Sequence, residues 1–378
     1  MRLKIDIVKD LASLEAEWLA FQDRAHGTFY QTYHWCSAWQ THVGAGRGIQ
    51  PAIVTGRDER GALVFLLPFA VNAHGGVRVL EWLAMAQSSY GYGLYAKEFL
   101  PQASAWFADS GWAMLRDLIN IDAISLHDLP IKIYGYDHPL LSWFSLRGRN
   151  SAYAMELGPD FEQVYAAKRS AETRRGNRKR DAKLAQVGDI HFGLPKTKQD
   201  ATALIETMFA QQRDRLAESG IHGVFGRQER QFIQALAETA PQNGLPILLP
   251  YHLTIDGKME AMMLGGNYKG CYWALISSLG AGEARKYSPG DAALRRTIQA
   301  CCERGLNRFD FSSGDTAYKL QWADEITPLY DVVRGKTLRG YAWALSKIVS
   351  LATKRIIKQT PVLWKLASAW RRLRATES

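Results

Sequence analysis

The 378-residue chain has few of the residues that announce a redox or metal centre. Its four cysteines, Cys36, Cys271, Cys301 and Cys302, form no Cys-x-x-Cys pair. Neither a zinc knuckle nor a disulfide framework is signalled, and a reducing cytoplasm is the expected compartment. The nine histidines (26, 34, 42, 74, 127, 138, 191, 222 and 252) are scattered, with no His-Glu-x-x-His, so no metal is expected. A Gly-x-Ser-x-Gly elbow and a Walker phosphate loop are both missing. No apolar run approaches the length that spans a bilayer. The start, Met-Arg-Leu-Lys-Ile-Asp-Ile, alternates like a strand and lacks a signal-peptide core. A soluble or surface-attached chain is expected.

Hydrophobic residues make up 47% of the chain, enough for packed cores, and the length suggests two domains. The net charge of +10 is concentrated. Lys168 to Lys183 holds eight basic and two acidic residues; Gly340 to Ser378 holds eight basic and one acidic. Local patches of one sign point to anionic partners.

Periodicity predicts strand 2–8, helices 11–24 and 31–43, and a hairpin of 51–57 with 62–71. Shorter strands near 77–84 and 89–95, a helix near 103–119 and a strand near 122–127 complete the first half. The second half repeats the order: strand 152–157, a basic helical stretch 160–187, strand 190–194, and helices near 199–218 and 227–239. A meander (246–255, 258–267, 271–279) follows, with Asp256-Gly257 as a hairpin signal. Helix 290–304, strand 307–312 and a last strand near 328–334 close it. Two α/β domains are expected, 1–150 and 151–338, with a basic amphipathic tail over 339–378. In the tail, Tyr341, Leu345, Ile348, Ala352 and Ile356 recur at helical spacing, and Pro361 suits the start of a second helix.

Four segments carry candidate chemistry. Around Ser288-Pro289-Gly290-Asp291, which opens a helix, Arg285 and Lys286 add cations, so the place reads as an anion site or as an ordinary Pro-Gly loop. Arg308-Phe-Asp-Phe-Ser-Ser-Gly-Asp-Thr-Ala-Tyr-Lys-Leu-Gln-Trp322 runs from an apolar strand into a polar loop. There Lys319 could bring positive charge to an oxyanion or a phosphate. Asp310 and Asp315 are candidate bases, or they orient Lys319. The aromatic segments with Tyr33, Trp35, Tyr90 and Tyr92 could stack on sugar rings or fill a core. Arg174, Arg175 and Arg178, in a basic run, could grip a diphosphate or RNA, or form a solvated helix face.

The order hairpin, basic turn, helix, strand, polar loop resembles the acyl-CoA-binding half of the GNAT acyltransferases. Gly314-Asp-x-x-Tyr-Lys-x-x-Trp322 resembles the acetyltransferase-like proteins of cellulose and other exopolysaccharide (holdfast-type) synthesis, relatives of the Fem-type aminoacyltransferases. The resemblance covers roughly residues 1–335. It implies tandem GNAT-like domains and transfer of an acyl group from acetyl-CoA, or another acyl-CoA, to an amine. That amine would lie on an amino sugar, sugar nucleotide or polysaccharide precursor. It places Tyr318-Lys319 in the donor region, with Ser288, Gly290 and Asp291 near the CoA phosphates. It sets the first-half aromatics, the arginines and Trp322 toward the acceptor. A Fem-like transferase using aminoacyl-tRNA is the nearest alternative. Arg304-x-x-x-Arg308 and Asp310-x-Ser312 loosely resemble a PilZ-type signature, which makes cyclic-di-GMP a further candidate ligand. The +7 tail is expected to act outside the catalytic fold, docking at the inner-membrane surface, or else to pack its apolar faces on the second domain with its cations solvated.

Overall fold

The computed structural model describes residues 2–113, 115, 119–143, 145–218, 225–239 and 246–360. The chain divides into two units. Of the described residues, one holds those up to Ala152 and 327–360; the other holds Tyr153–Ile326.

In the first unit β1 (Lys4–Val8), β2 (Gln50–Arg57), β3 (Leu63–His74) and β4 (Val77–Trp82) pair antiparallel in that order. The β2–β3 turn forms as its composition predicts. The Asp58 carboxylate accepts from the amides of Arg60 (3.0 Å) and Ala62 (2.9 Å), while Gly61 takes φ +83°. Short β5 (Leu94–Tyr95) adds to β3. β6 (Ala123–Pro130) pairs with β4 in parallel over only Val79↔Ala123 and Leu80↔Ile124. β7 (Lys132–Ile133) and β8 (Tyr136–Asp137) make a separate hairpin. β9 (Ser145–Glu156) carries the chain into the second unit.

There, β10 (Ile190–Gly193), β11 (Leu248–Ile255), β12 (Lys258–Tyr268) and β13 (Cys271–Leu279) are antiparallel neighbours. Two tight turns set their register: Asp256 and Gly257, and Lys269 and Gly270, all have positive φ, the geometry that matches strand twist. Helix Pro289–Glu303 packs on this sheet and leads to β14 (Arg308–Ser313), parallel to β13. After the short helix Ala317–Trp322, β15 (Glu325–Gly335) returns the chain to the first unit, antiparallel to β6.

Three expectations are revised. The stretch 160–187 is two helices, Phe161–Lys168 and Ala171–Ala185, because Ser170 restarts the second by accepting the Thr173 amide at 3.1 Å. Helix 31–43 is α-helical only over Tyr33–Trp39 and then widens into a π turn. Residues 327–360, including the strand expected near 328–334, group with the first unit and not the second.

The tail does not stand apart from the fold through residue 359. Helix Leu338–Gln359 packs on β4 and β6, held by Asp122. The Asp122 carboxylate accepts from Arg339 Nε (2.8 Å), Thr337 Oγ1 (2.8 Å) and the Arg78 amide (2.9 Å), and its carbonyl accepts from the Lys336 amide (2.7 Å). The Arg339 guanidinium, with the Arg78 amide and the Thr337 hydroxyl, holds the carboxyl down at about 2. Gly340 makes this approach possible: a Cβ there would lie 1.8 Å from the Asp122 carbonyl oxygen. The second tail helix, expected after Pro361, lies outside the described residues.

Candidate active site

The second unit contains a forked strand pair. β13 and β14 are in register over only Cys271↔Arg308, Tyr272↔Phe309 and Trp273↔Asp310. Beyond that point β13 bulges: Gly265 faces Ala274 but Leu264 faces Ile276, leaving Leu275 unpaired. β14 bends at Ser312, whose φ is +64°. That left-handed backbone is supported by Asp310, which is buried and accepts the Ser312 amide at 2.7 Å. The Ser312 hydroxyl donates to the Ala274 carbonyl, so a side chain replaces the ladder where the strands part.

Lys319 closes the end of the fork. It is only 7% exposed, and its Nζ donates to the Ser313 carbonyl at 2.7 Å and the Ser312 carbonyl at 3.5 Å. A buried cation is thereby satisfied by strand-end carbonyls. Tyr318, half-exposed, lies edge-on to Phe311. Asp315 accepts the Tyr153 hydroxyl at 2.9 Å. Asp310, Asp315, Tyr318 and Lys319 thus follow one another along β14, the loop after it and the short helix 317–322.

The basic turn stands at the far end of β13. Arg285 and Lys286 lie in the 3-10 turn Glu283–Tyr287, both exposed. Ser288 takes φ +59° and makes no side-chain cap, and helix Pro289–Glu303 begins at once. Gly290 keeps the approach to this helix start open, its nearest obstacle to a Cβ being Leu279 at 3.4 Å. Asp291 is engaged within the protein. It accepts from Arg295 at 3.0 Å, and Arg295 also forks onto Asp181 at 2.7 and 3.0 Å. That network ties the basic helix Ala171–Ala185 to the helix that starts the anion site.

Several expected substrate contacts are packing instead. Trp322 is fully buried, stacked on Tyr165 at 5.7 Å, with the Arg169 guanidinium 4.4 Å above its ring. Tyr33, Trp35, Tyr90 and Tyr92 are each less than 10% exposed in the first unit. Trp35 donates to Ser88 Oγ at 3.0 Å, Tyr90 meets Tyr30, and Tyr92 meets His138. Their faces fill a core, which leaves none of them a ring face for a sugar. Arg175 and Arg178 are exposed, and Arg174 is half-buried. Arg308 is committed to Glu325 at 2.6 Å, while Arg304 lies over Tyr251, so the PilZ-like arginine pair is divided between two partners. Sequence reasoning missed Tyr153, Ala274 and the bulge at Leu275, whose roles come only from pairing across the sheet. Among the described residues no group of three His, Cys, Asp or Glu side chains is placed to hold a metal.

Residues 171–320, the segment that contains the fork and the basic turn, match the acetyltransferase (GNAT) domain family. No curated protein matches the chain. Among solved structures, FemX is similar at a TM-score of 0.56 and 10% identity, over 87% of this chain and 97% of its own. The C-terminal domain of a putative lysylphosphatidylglycerol synthetase from Agrobacterium fabrum gives 0.52 at 11% identity, over 91% and 96%. A protein of unknown function from Bacteroides thetaiotaomicron gives 0.53 at 11% identity, over 88% and 100%. At these identities the likeness is one of fold: mixed α/β, as in FemX.

Proposed function

We propose that the second unit is an acyltransferase that takes its acyl group from an acyl-CoA, acetyl-CoA in the simplest case, and passes it to an amine. The observation that carries this reading is the β13–β14 fork set beside an uncapped helix start within a GNAT-type segment. The fork offers a slot for the pantetheine arm, because β13 pairs with β14 no further than Trp273. Arg285, Lys286 and the amides at Gly290 suit the CoA phosphates. A bound thioester supplies the activated carbonyl. Lys319 keeps the strand end rigid and places positive charge beside it; the amine attacks the thioester carbonyl, the C–S bond breaks, CoA leaves as the thiol, and Asp310 or Asp315 is the candidate acceptor of the amine proton. The acceptor we assign is an amino sugar or sugar precursor of an extracellular polysaccharide, on the resemblance of Gly314–Trp322. An aminoacyl-tRNA donor is the rival, favoured by the exposed Arg175 and Arg178. Calorimetry with acetyl-CoA tests the donor site: the double variant Arg285→Ala, Lys286→Ala should weaken binding by about 1–3 kcal/mol. Unchanged affinity rejects the site. Turnover that is abolished by RNase would favour tRNA.

Helix Leu338–Gln359 supports attachment to an anionic bilayer. Leu338, Tyr341, Leu345, Val349 and Ile356 share one arc of the helix and are each more than half exposed, Leu338 at 90%. The sequence 361–378 adds four basic residues, Lys365, Arg371, Arg372 and Arg374, and one acidic residue, Glu377. No helix among the described residues is long and apolar enough to cross a membrane, which suits an interfacial mode. Leu345→Glu with Val349→Glu should abolish co-sedimentation with phosphatidylglycerol vesicles. Equal sedimentation, or the same binding to neutral vesicles, rejects the docking. A change of oligomeric state instead would assign the stripe to a second copy.

A further inference from the structure

A cavity of about 630 Å³ lies wholly within the first unit, beneath helix Leu338–Gln359. Its floor is an irregularity between β6 and β15, where the register slips between Tyr330 and Val332. Asp331 there accepts the Asp128 amide at 3.1 Å and lies 3.1 Å from His127 Nδ1. His127 Nε2 is in turn 2.8 Å from Ser125 Oγ. If Nδ1 carries the proton toward Asp331, Nε2 accepts from the serine, so carboxylate, imidazole and hydroxyl form one ordered row. Beside it Asp128 has φ +53°, and burial together with the Asp331 charge raises its carboxyl to about 6. The volume falls within the ~300–1,000 Å³ range of small-molecule sites.

The walls carry a surplus of positive charge. Five cations line the cavity (Arg147, Arg149, Lys347, Lys354 and Arg355) against three carboxylates, Glu81, Asp128 and Asp331. Arg147 is occupied by the carbonyls of Asn150 and Leu329. Arg149, Lys347 and Lys354 form no ion pair with a carboxylate among the described residues, and Arg355 Nε is buried without a partner. Leu146, Ile348 and Leu351 add apolar surface. The roofing helix thus turns Lys347 and Arg355 to the cavity along with Ile348 and Leu351, and leaves Leu338, Tyr341, Leu345 and Val349 exposed. A helix that merely covered a core would keep its cations on the outer face and its apolar residues on the inner one. Five cations against three carboxylates leave a positive surplus, which a bound anion would offset.

We propose that this cavity is a second ligand site, which takes a small organic phosphate: Arg149, Lys347 and Lys354 hold the phosphate, and the Ser125–His127–Asp331 row reads a hydroxyl or amine on its body. The inference does not rest on the acyl-transfer reading. A sugar nucleotide and the nucleotide end of a CoA share this chemistry, and the test separates them. Full-length protein is titrated by calorimetry with inorganic pyrophosphate, a uridine diphosphate amino sugar and adenosine bisphosphate. Each is repeated with Lys347→Ala, Lys354→Ala and with Arg285→Ala, Lys286→Ala; all four lysine and arginine side chains altered are at least partly exposed, and melting curves check folding. At least one probe should bind saturably and lose roughly tenfold or more in affinity in the first double variant, the scale of a lost charge-assisted bond, while the second leaves it unchanged. Any other pattern overturns the proposal, including no binding by the wild type or equal loss in both variants.

Discussion

Each unit splits a parallel strand pair, β4 from β6 in the first and β13 from β14 in the second, after two and three paired residues. What occupies the neighbourhood of each opening differs. In the second unit it is local: Ser312, Lys319 and the helix beginning at Pro289 all come from the forty-odd residues around the fork. In the first unit it comes from far along the chain, as Asp331 and the 338–359 helix are brought back to β6. The same strand geometry is therefore finished by neighbours in one case and by a distant segment in the other. A fork finished by its own loop can keep a slot and a helix start clear for a ligand. A fork finished by a returning helix becomes a roofed cavity lined from both ends of the sequence.

The sharpest way to break this comparison is to lift the roof. Gly340→Ala puts a carbon into the Asp122 carbonyl, and the misfit should cost about 3 kcal/mol. Thermal melting should show it, and amide exchange should speed up along 338–359. Normal melting with a protected helix means that the clasp is not what holds the helix. The second unit is probed by Lys319→Met, which keeps the apolar stem and removes the ammonium. Leaving the Ser313 carbonyl unpaired should lower stability by about 1–3 kcal/mol. Acyl transfer should fall at least tenfold even at temperatures where the variant is folded. Full turnover in the folded variant would reduce Lys319 to a structural staple. The smallest effect is in pH. Asp122 is held below its ordinary value of 3.8, at about 2. Its contribution to stability is therefore complete above about pH 4 and is lost as pH falls toward 2. Asp122→Asn should flatten that part of the stability profile; an unaltered slope would show that another carboxylate governs it.

Local signals in the sequence carried the hairpins and the second fork. Asp256-Gly257 needs positive φ at both residues and takes it, and the run from Arg308 to Trp322 folds as strand, loop and helix in the order its polarity suggests. Side-chain fate was less legible. Trp322 and the aromatics at 33, 35, 90 and 92 could equally face a ligand or a core, and only tertiary packing decides for the core. The row formed by Ser125, His127 and Asp331 could not be seen, since histidine and aspartate are 204 residues apart and meet through a register slip. The tail misled because its spacing shows an amphipathic helix but not which face turns inward. Asp122 and Gly340 decide that, and nothing in their own neighbourhoods announces them.

The return of β15 has a consequence for how the chain is made. Residues 153–326 are an insertion within the first unit, whose sheet lacks β15 until the insertion has been synthesised. During synthesis β6 would therefore wait with an unpaired edge while the whole second unit emerges, and that unit, contiguous in sequence, can close first. The N-terminal core would then be the last to finish, and its closure, spanning some two hundred residues, would set the pace of folding.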